Sequence, residues 1–343
     1  MRFATVRHSA SPHEAHASDQ HLGVGIGIAG LCGGTLVLAD IPQCHMVVDA
    51  AFTLRVMLQS TKRIDMTDGK DLQANKGRAL RDLHSAGTGF LIPNPWDSGT
   101  ARLLEMLGFK ALATTSAGFS FSHGRPDNTV PREPLLEHLA QIAGATSLPV
   151  TADLENGFGD APESVARTIR LAADAGVVGG SIEDSTGRSD APLYDRACAK
   201  ERIAAAVEAV RSLPFAFTLT ARAENYFIGQ PDLADTIGRL QAYQEAGADV
   251  LYAPGLTRAE DIATVVREVD RPLNVLIGFP GMELGAKELF ALGVKRVSVG
   301  GSLARAALGE FLRAATELRD HGTADYAQAA VSGSLLNQMF SRI

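Results

Sequence analysis

The sequence predicts a parallel (β/α)8 TIM-type barrel with additional C-terminal helices, and three observations predict it. Short apolar runs rich in β-branched residues alternate with longer helical patterns through residues 66–343. Helical stretches close on Gly108, Gly176, Gly247 and Gly293, just before the next strand, where glycine tolerates the left-handed backbone that ends a helix. Eight such units in ~280 residues suit a closed barrel better than an open sheet. No strand leads into GxGxxG or GxxxxGKS/T, so nucleotide-binding open sheets lose their signature. A doubly wound sheet is the alternative topology.

The elements follow in order. The first strand is expected over 90–95, with a helix over 98–107, and the second strand over 111–116. The third strand covers 149–153 and is followed by a helix over 162–175. The fourth is 180–183. A helix over 200–213 leads to the fifth strand, 215–222, and one over 233–246 leads to the sixth, 250–253. The seventh and eighth strands are 273–277 and 296–299. Residues 309–343 read as further helices.

The chain has 343 residues, 45% of them hydrophobic and 6% aromatic, enough apolar material for one large core. Its formal net charge of −7, with no Lys/Arg-rich stripe, argues against nucleic-acid binding. Cys32, Cys44 and Cys198 are widely spaced and form neither a disulfide framework nor a zinc motif. A reducing cytoplasm is expected. Residues 1–65 are of a different kind: a polar, His-containing start, then a glycine-rich apolar stretch over 22–41 that is marginal as a membrane span and lacks a basic segment before it. They are expected to be a poorly ordered extension, or an upstream segment if Met66 is the natural start.

In such barrels the active site forms where the strands end. The second strand ends Thr114-Thr115-Ser116-Ala117-Gly118, the third Asp153-Leu154-Glu155-Asn156-Gly157-Phe158-Gly159, the fourth Glu183-Asp184 and the fifth Arg222-Ala223-Glu224-Asn225. Clustered carboxylates repel, and a cation keeps them ionised together. Oxygen ligands without His or Cys select Mg2+, or Mn2+. Asp153, Glu155 and Glu183 are the candidate metal residues. Asp153 and Glu155 lie two apart and would point to one side of a strand. Single acids here could merely cap helices, but three strand ends together favour a cation site. Arg222 either grips a substrate carboxylate or pairs with Glu183 or Glu224. Thr115, Ser116, Ala117 and Gly118 could offer a hydroxyl and backbone N–H groups to an anion. Asn274, inside the seventh strand, either faces the site or is hydrogen-bonded in the core. Asp127 sits in a loop after the second strand and alone reads as a turn residue.

These stretches, with Pro93-Asn94-Pro95-Trp96-Asp97, Gly124-Arg125-Pro126-Asp127 and Thr220-Ala221-Arg222, resemble the isocitrate lyase/phosphoenolpyruvate mutase superfamily in order and spacing across nearly all of 66–343. The resemblance implies a (β/α)8 barrel with a helix exchanged between subunits, usually in a homotetramer. It implies Mg2+ near Asp153, Glu155 and Glu183, with Asp127 completing the cluster as a catalytic acid beside Glu183 and Arg222. It implies that the Ser116–Gly118 turn and Arg222 hold the substrate. The implied chemistry makes or breaks a C–C or P–C bond beside a 2-oxo acid through an enolate on the metal. The substrate would be a small 2-oxo or 2-hydroxy di- or tricarboxylate. A phosphonomutase, a P–C hydrolase or a non-catalytic oxo-acid binder are the alternatives. The chain departs from the lyases where they carry Lys-Cys-Gly-His: residues 185–194 hold no cysteine, and Cys198 lacks that context. Tyr194 or Asp190 would supply a proton there or, as the plainer expectation, only brace the loop.

Overall fold

The computed structural model describes residues 69–341, so the extension expected over 1–65 lies outside the described residues. Helix α1 (Gly69–Ser85) precedes the first strand. Then follow β1 (Phe90–Ile92), α2 (Ser98–Met106), β2 (Leu112–Ala113), α3 (Ser116–Ser122), α4 (Arg132–Ala145), β3 (Val150–Asp153), α5 (Pro162–Asp174) and β4 (Gly179–Glu183). The second half runs α6 (Arg196–Arg211), β5 (Thr218–Arg222), α7 (Leu233–Ala246), β6 (Val250–Tyr252), α8 (Ala259–Glu268), β7 (Leu273–Leu276), α9 (Ala286–Ala291) and β8 (Arg296–Ser298). Two further helices, α10 (Ser302–His321) and α11 (Gly333–Phe340), end the described chain. All eight expected strands are present.

The strands pair in parallel in the order β1-β8-β7-β6-β5-β4-β3-β2. The remaining seam, β1 against β2, is closed by one backbone bond, from the Ala113 N–H to the Pro93 carbonyl at 3.0 Å. Buried Asn94 reinforces it. Its amide donates to the Thr114 carbonyl at 2.8 Å, and its oxygen accepts from the N–H groups of Val299 and Gly300 at 3.0 and 2.9 Å. One side chain therefore joins the ends of β1, β2 and β8, replacing the missing ladder.

All the strands but β4 are shorter than the apolar runs suggested. The second stops at Ala113 because Thr115 turns to cap α3, its hydroxyl accepting from the Gly118 N–H. Helix α6 starts at Arg196, earlier than expected, because Asp195 caps it through the Ala197 and Cys198 N–H groups. Helices α1, α3, α4, α8 and α9 were not among the expected elements. The four glycine joints hold positive φ, between 85° and 107°.

Outward residues of the strands, such as Leu219, Leu251, Val275 and Val297, bury against Ile142, Ile169, Ile203 and Leu240 of the helices. The barrel interior is unusual. Such interiors are ordinarily filled by Val, Ile and Leu. Here five successive strands set polar residues at paired positions: Glu183 opposite Arg222, Arg222 opposite Tyr252, Tyr252 opposite Asn274 and Asn274 opposite Arg296. This polar belt descends from the rim at β4 to the first residue of β8.

Candidate active site

The belt from Arg222 to Arg296, the β3 end and the start of α3 enclose a cavity of about 110 Å³ at the C-terminal mouth of the barrel, with Glu155 and Glu183 set behind its wall. Asp153 ends β3. Its carboxylate accepts from the Ser116 N–H at 3.1 Å, and its own N–H donates to the Thr114 hydroxyl at 3.0 Å. Beyond Asp153 the strand is over. Glu155 sits in a turn at φ 49°, and Phe158 at φ 60°. Strand alternation therefore does not place Glu155 beside Asp153, contrary to the two-residue spacing argument. A left-handed turn does, at a conformational cost.

Three devices hold that turn. Leu154 is fully buried, and its side chain occupies the space where a Cβ on Gly180 would stand, 2.7 Å away. The Thr168 hydroxyl donates to the Gly157 carbonyl at 2.8 Å. Arg202, on α6 and almost wholly buried, donates to three carbonyls of the turn, those of Asn156, Gly159 (2.7 Å) and Asp160.

Arg222, from β5, stands among the acids. It pairs with Glu183 at 3.1 Å and lies 3.8 Å from Asp153. Its Nε and Nη2 are both held by Glu224, the latter at 3.1 Å. Both ion pairs weighed from the sequence are present, and the same guanidinium still lines the cavity. Tyr252 lies under it, 5.3 Å from ring centre to Cζ. Asp127 lines the cavity from an exposed loop between α3 and α4. Thr115, Ser116 and Ala117 also line it, while Gly118 does not, its N–H being spent on the Thr115 cap. Asn274 satisfies both readings: it is buried, bonded to Arg296 and Ser298, and part of the cavity wall.

The electrostatics are those of crowded acids. Burial, then the charges of Asp153 and Asp127, push Glu155 up to about 8. Burial raises Glu183 well above the usual carboxyl range, against the pull of Arg222. Partial desolvation over the cavity and the neighbouring Asp153 raise Asp127. Among the described residues no three Asp, Glu, His or Cys side chains converge tightly enough to chelate one ion directly. Asp153, Glu155 and Glu183 thus do not close directly on one ion in this structure, and the Arg222 guanidinium stands between Glu183 and Asp153, 3.1 and 3.8 Å from them. The arrangement suits a cation that takes one or two carboxylates and keeps its waters.

The β4 loop differs from expectation only in its neatness. Ser185 and Leu193 bridge antiparallel, and the Tyr194 hydroxyl donates to Asp160 at 2.5 Å, beside Arg188 at 2.9 Å. Tyr194 braces this loop against the β3 turn. Neither Tyr194 nor Asp190 lines the cavity, and Cys198 packs against the core from the first turn of α6. Sequence reasoning passed over Arg202, Tyr252 and Arg296. Of these only Tyr252, a phenol at the end of the apolar run Val250-Leu251, carried a local signal; Arg202 sits in a helix with several other charges and Arg296 follows Lys295.

Known proteins resemble this chain in sequence and in fold. The family model for phosphoenolpyruvate phosphomutase matches residues 80–319. A crystal structure from Burkholderia cenocepacia, provisionally designated a lyase/mutase, is 63% identical and covers 79% of this chain and 98% of its own, with a TM-score of 0.78. A Corynebacterium glutamicum protein named a probable 2-methylisocitrate lyase is 31% identical over 242 residues, 68% of this chain and 78% of that one. A phosphonopyruvate hydrolase structure in complex with oxalate and Mg2+ is 27% identical, covers 78% of this chain and 95% of its own, and superposes with a TM-score of 0.69.

Proposed function

Because the chain belongs to the phosphoenolpyruvate phosphomutase family, within a superfamily of lyases and mutases, we propose that it is a Mg2+-dependent lyase-type enzyme. It makes or breaks a C–C bond beside a 2-oxo acid through an enolate. Its substrate is a small 2-oxo or 2-hydroxy di- or tricarboxylate. The observation that carries this reading is the gathering of Asp127, Asp153, Glu155 and Glu183 around one guanidinium at the barrel mouth. Five carboxyl groups, counting Glu224, face a single arginine. Burial first, then the neighbouring acids, raises the proton affinity of Asp127 and Glu155; a divalent ion relieves such crowding, and every donor is a hard oxygen. Mn2+ fits the same donor set.

When bound near Asp153, the ion supplies Lewis-acid stabilisation of oxyanion charge. The remaining work belongs to the chain. Glu224 and Glu183 fix Arg222 in one plane, so that its unused N–H groups meet a substrate carboxylate in a set orientation. The Ser116 N–H holds Asp153 in place, and Ala117, in the first turn of α3, has a free N–H at the cavity wall. Asp127 closes the acid ring from the loop and is the group best placed to exchange a proton at the mouth.

The same reading includes residues 66–343 as one barrel unit with 1–65 as an extension, a cytoplasmic location, and a homotetramer with C-terminal helices exchanged. Exposed Phe311, Leu312, Leu318, Val331 and Leu335 on the C-terminal segment support the last of these. Among the described residues, no helix is long and apolar enough to cross a membrane.

The test is a turnover screen of 2-oxo and 2-hydroxy acids, with phosphonopyruvate included, in Mg2+ and in chelator. Metal-dependent C–C cleavage is expected. Phosphonopyruvate as the sole substrate would move the assignment to P–C chemistry, and oxalate binding without any turnover would leave a binding protein.

A further inference from the structure

The polar belt ends at a charge that the acid cluster does not use. Arg296 opens β8, is 4% exposed, and lines the inner end of the same cavity. Its Nε donates to the Asn274 oxygen at 2.9 Å and its Nη2 to the Thr220 hydroxyl at 3.0 Å, while its Nη1 faces the His84 ring at 3.4 Å. All three partners are neutral. His84 is itself kept uncharged, lowered to about 3 by burial and by Arg296, with its other ring nitrogen 2.8 Å from the Leu80 carbonyl. Among the described residues no carboxylate pairs with Arg296, in contrast to Arg222, which has two such partners and a third nearby.

A guanidinium carries five N–H donors. Three are accounted for, leaving one on each terminal nitrogen. Burying a cation without a counter-ion costs free energy, and nothing in the barrel packing requires a charge here. Thr151, Ser181 and Ser298 stand in the wall between Arg296 and the acid cluster, interspersed with apolar Ile92, Ala113 and Leu276, so polar groups mark the way from one to the other. The cavity therefore has two poles: a carboxylate-rich mouth suited to a cation, and a cationic inner end without an anion.

We propose that Arg296 is a specificity-determining residue, the counter-charge for a second anionic group at the end of the substrate away from the mouth. The site then takes dianionic 2-oxo or 2-hydroxy acids and discriminates against their monoanionic analogues. This deepens the function proposed above and rests on the same cavity. Asn274 is the positioning residue, since its oxygen orients the guanidinium and its amide is anchored on the Ser298 hydroxyl at 3.0 Å.

The experiment is calorimetric titration of the full-length protein with malate and lactate, both enantiomers of each, with and without Mg2+. The two acids differ in the distal carboxylate. Wild type is expected to prefer malate by about thirty-fold, the scale of a desolvated charge pair. Arg296→Gln should cut the preference to about threefold or less, and Arg296→Lys should keep most of it. Asn274→Asp carries the test even where Arg296→Gln fails to fold. It leaves the arginine in place, supplies an internal counter-charge in the same shape, and should also abolish the preference. Equal affinity of wild type for malate and lactate, no binding of either, or an unchanged preference in Asn274→Asp overturns the proposal. Oxalate titrated with Mg2+ reports separately on the metal reading. Loss of that binding alone sinks the enolate site, while the malate-to-lactate ratio still reports on Arg296.

Discussion

Replacing Arg202 by Met tests how the acid cluster is built. The side chain lies outside the cavity and touches no substrate, yet it holds three carbonyls of the β3 turn and stacks on Tyr194, 4.1 Å from the ring centre. Each bond from a charged donor contributes about 1.5 kcal/mol at the low end, so three give roughly 4–5 kcal/mol. Methionine fills the aliphatic volume and avoids burying a charge, which offsets part of that. A net loss of about 3 kcal/mol is expected. The left-handed Glu155 and Phe158 then lose their restraint, and metal affinity should fall about 10- to 100-fold, as when a ligand's supporting partner is removed. The assays are urea unfolding, Mg2+ titration, and hydrogen exchange of the amides over 155–160. Arg202→Lys should fall between the two, since an ammonium reaches fewer of the carbonyls. Arg202→Met with wild-type stability to within about 0.5 kcal/mol, and with the 155–160 amides still protected, would refute the clamp.

Three further outcomes are expected. Asp153→Asn should weaken Mg2+ at least about 100-fold by removing the carboxylate that lines the cavity and is held by the Ser116 N–H, read by calorimetry; retained affinity would move the ion elsewhere. Glu224→Gln loses one side of the fork that fixes Arg222 and should raise KM about tenfold with little change in kcat, whereas a pure kcat effect would contradict a binding role for Arg222. His138 is buried against Phe119 with ring centres 4.0 Å apart, its Nε2 has no hydrogen-bond partner, and burial lowers it from 6.5 to about 4. The unfolded chain takes up a proton below pH 6.5 that the folded chain refuses until about 4, so stability present above 6.5 drains away as pH falls. At pH 5 the cost is about 2 kcal/mol. His138→Phe should therefore gain about that much on wild type between pH 7 and pH 5 in urea unfolding; parallel losses in both proteins would exclude His138 as the cause.

The barrel was legible because its units repeat: apolar runs, glycine joints and strand-end acids recur at a spacing that packing enforces. The mouth was legible because Asp153, Glu183 and Arg222 each end a strand, and a strand end is a place that sequence can locate. Glu155 does lie near Asp153 and Asp127, but strand alternation is not the reason, since its position depends on a left-handed turn held by Leu154 and Arg202. Those two lie far apart in sequence, and no local pattern links them. Arg296 was missed because the first residue of a strand ordinarily lies at the closed end of a barrel. Only the stagger between strands, which is a property of the whole sheet, lowers the cavity to meet it. Asp184 looked like a second rim acid, yet it turns away to Arg239, Tyr243 and the Glu224 N–H.

That buried Asp184 anchors the base of the β4 loop as well. Its carbonyl accepts from Tyr194, and Ser185 and Leu193 close the loop upon themselves. Between these fixed ends the chain contributes nothing to the cavity wall. The segment is thus an exchangeable cassette. Residues 187–191 are exposed, so a longer insert there would leave the cavity wall below as it is. Grafting loops from relatives onto this base tests that in the laboratory.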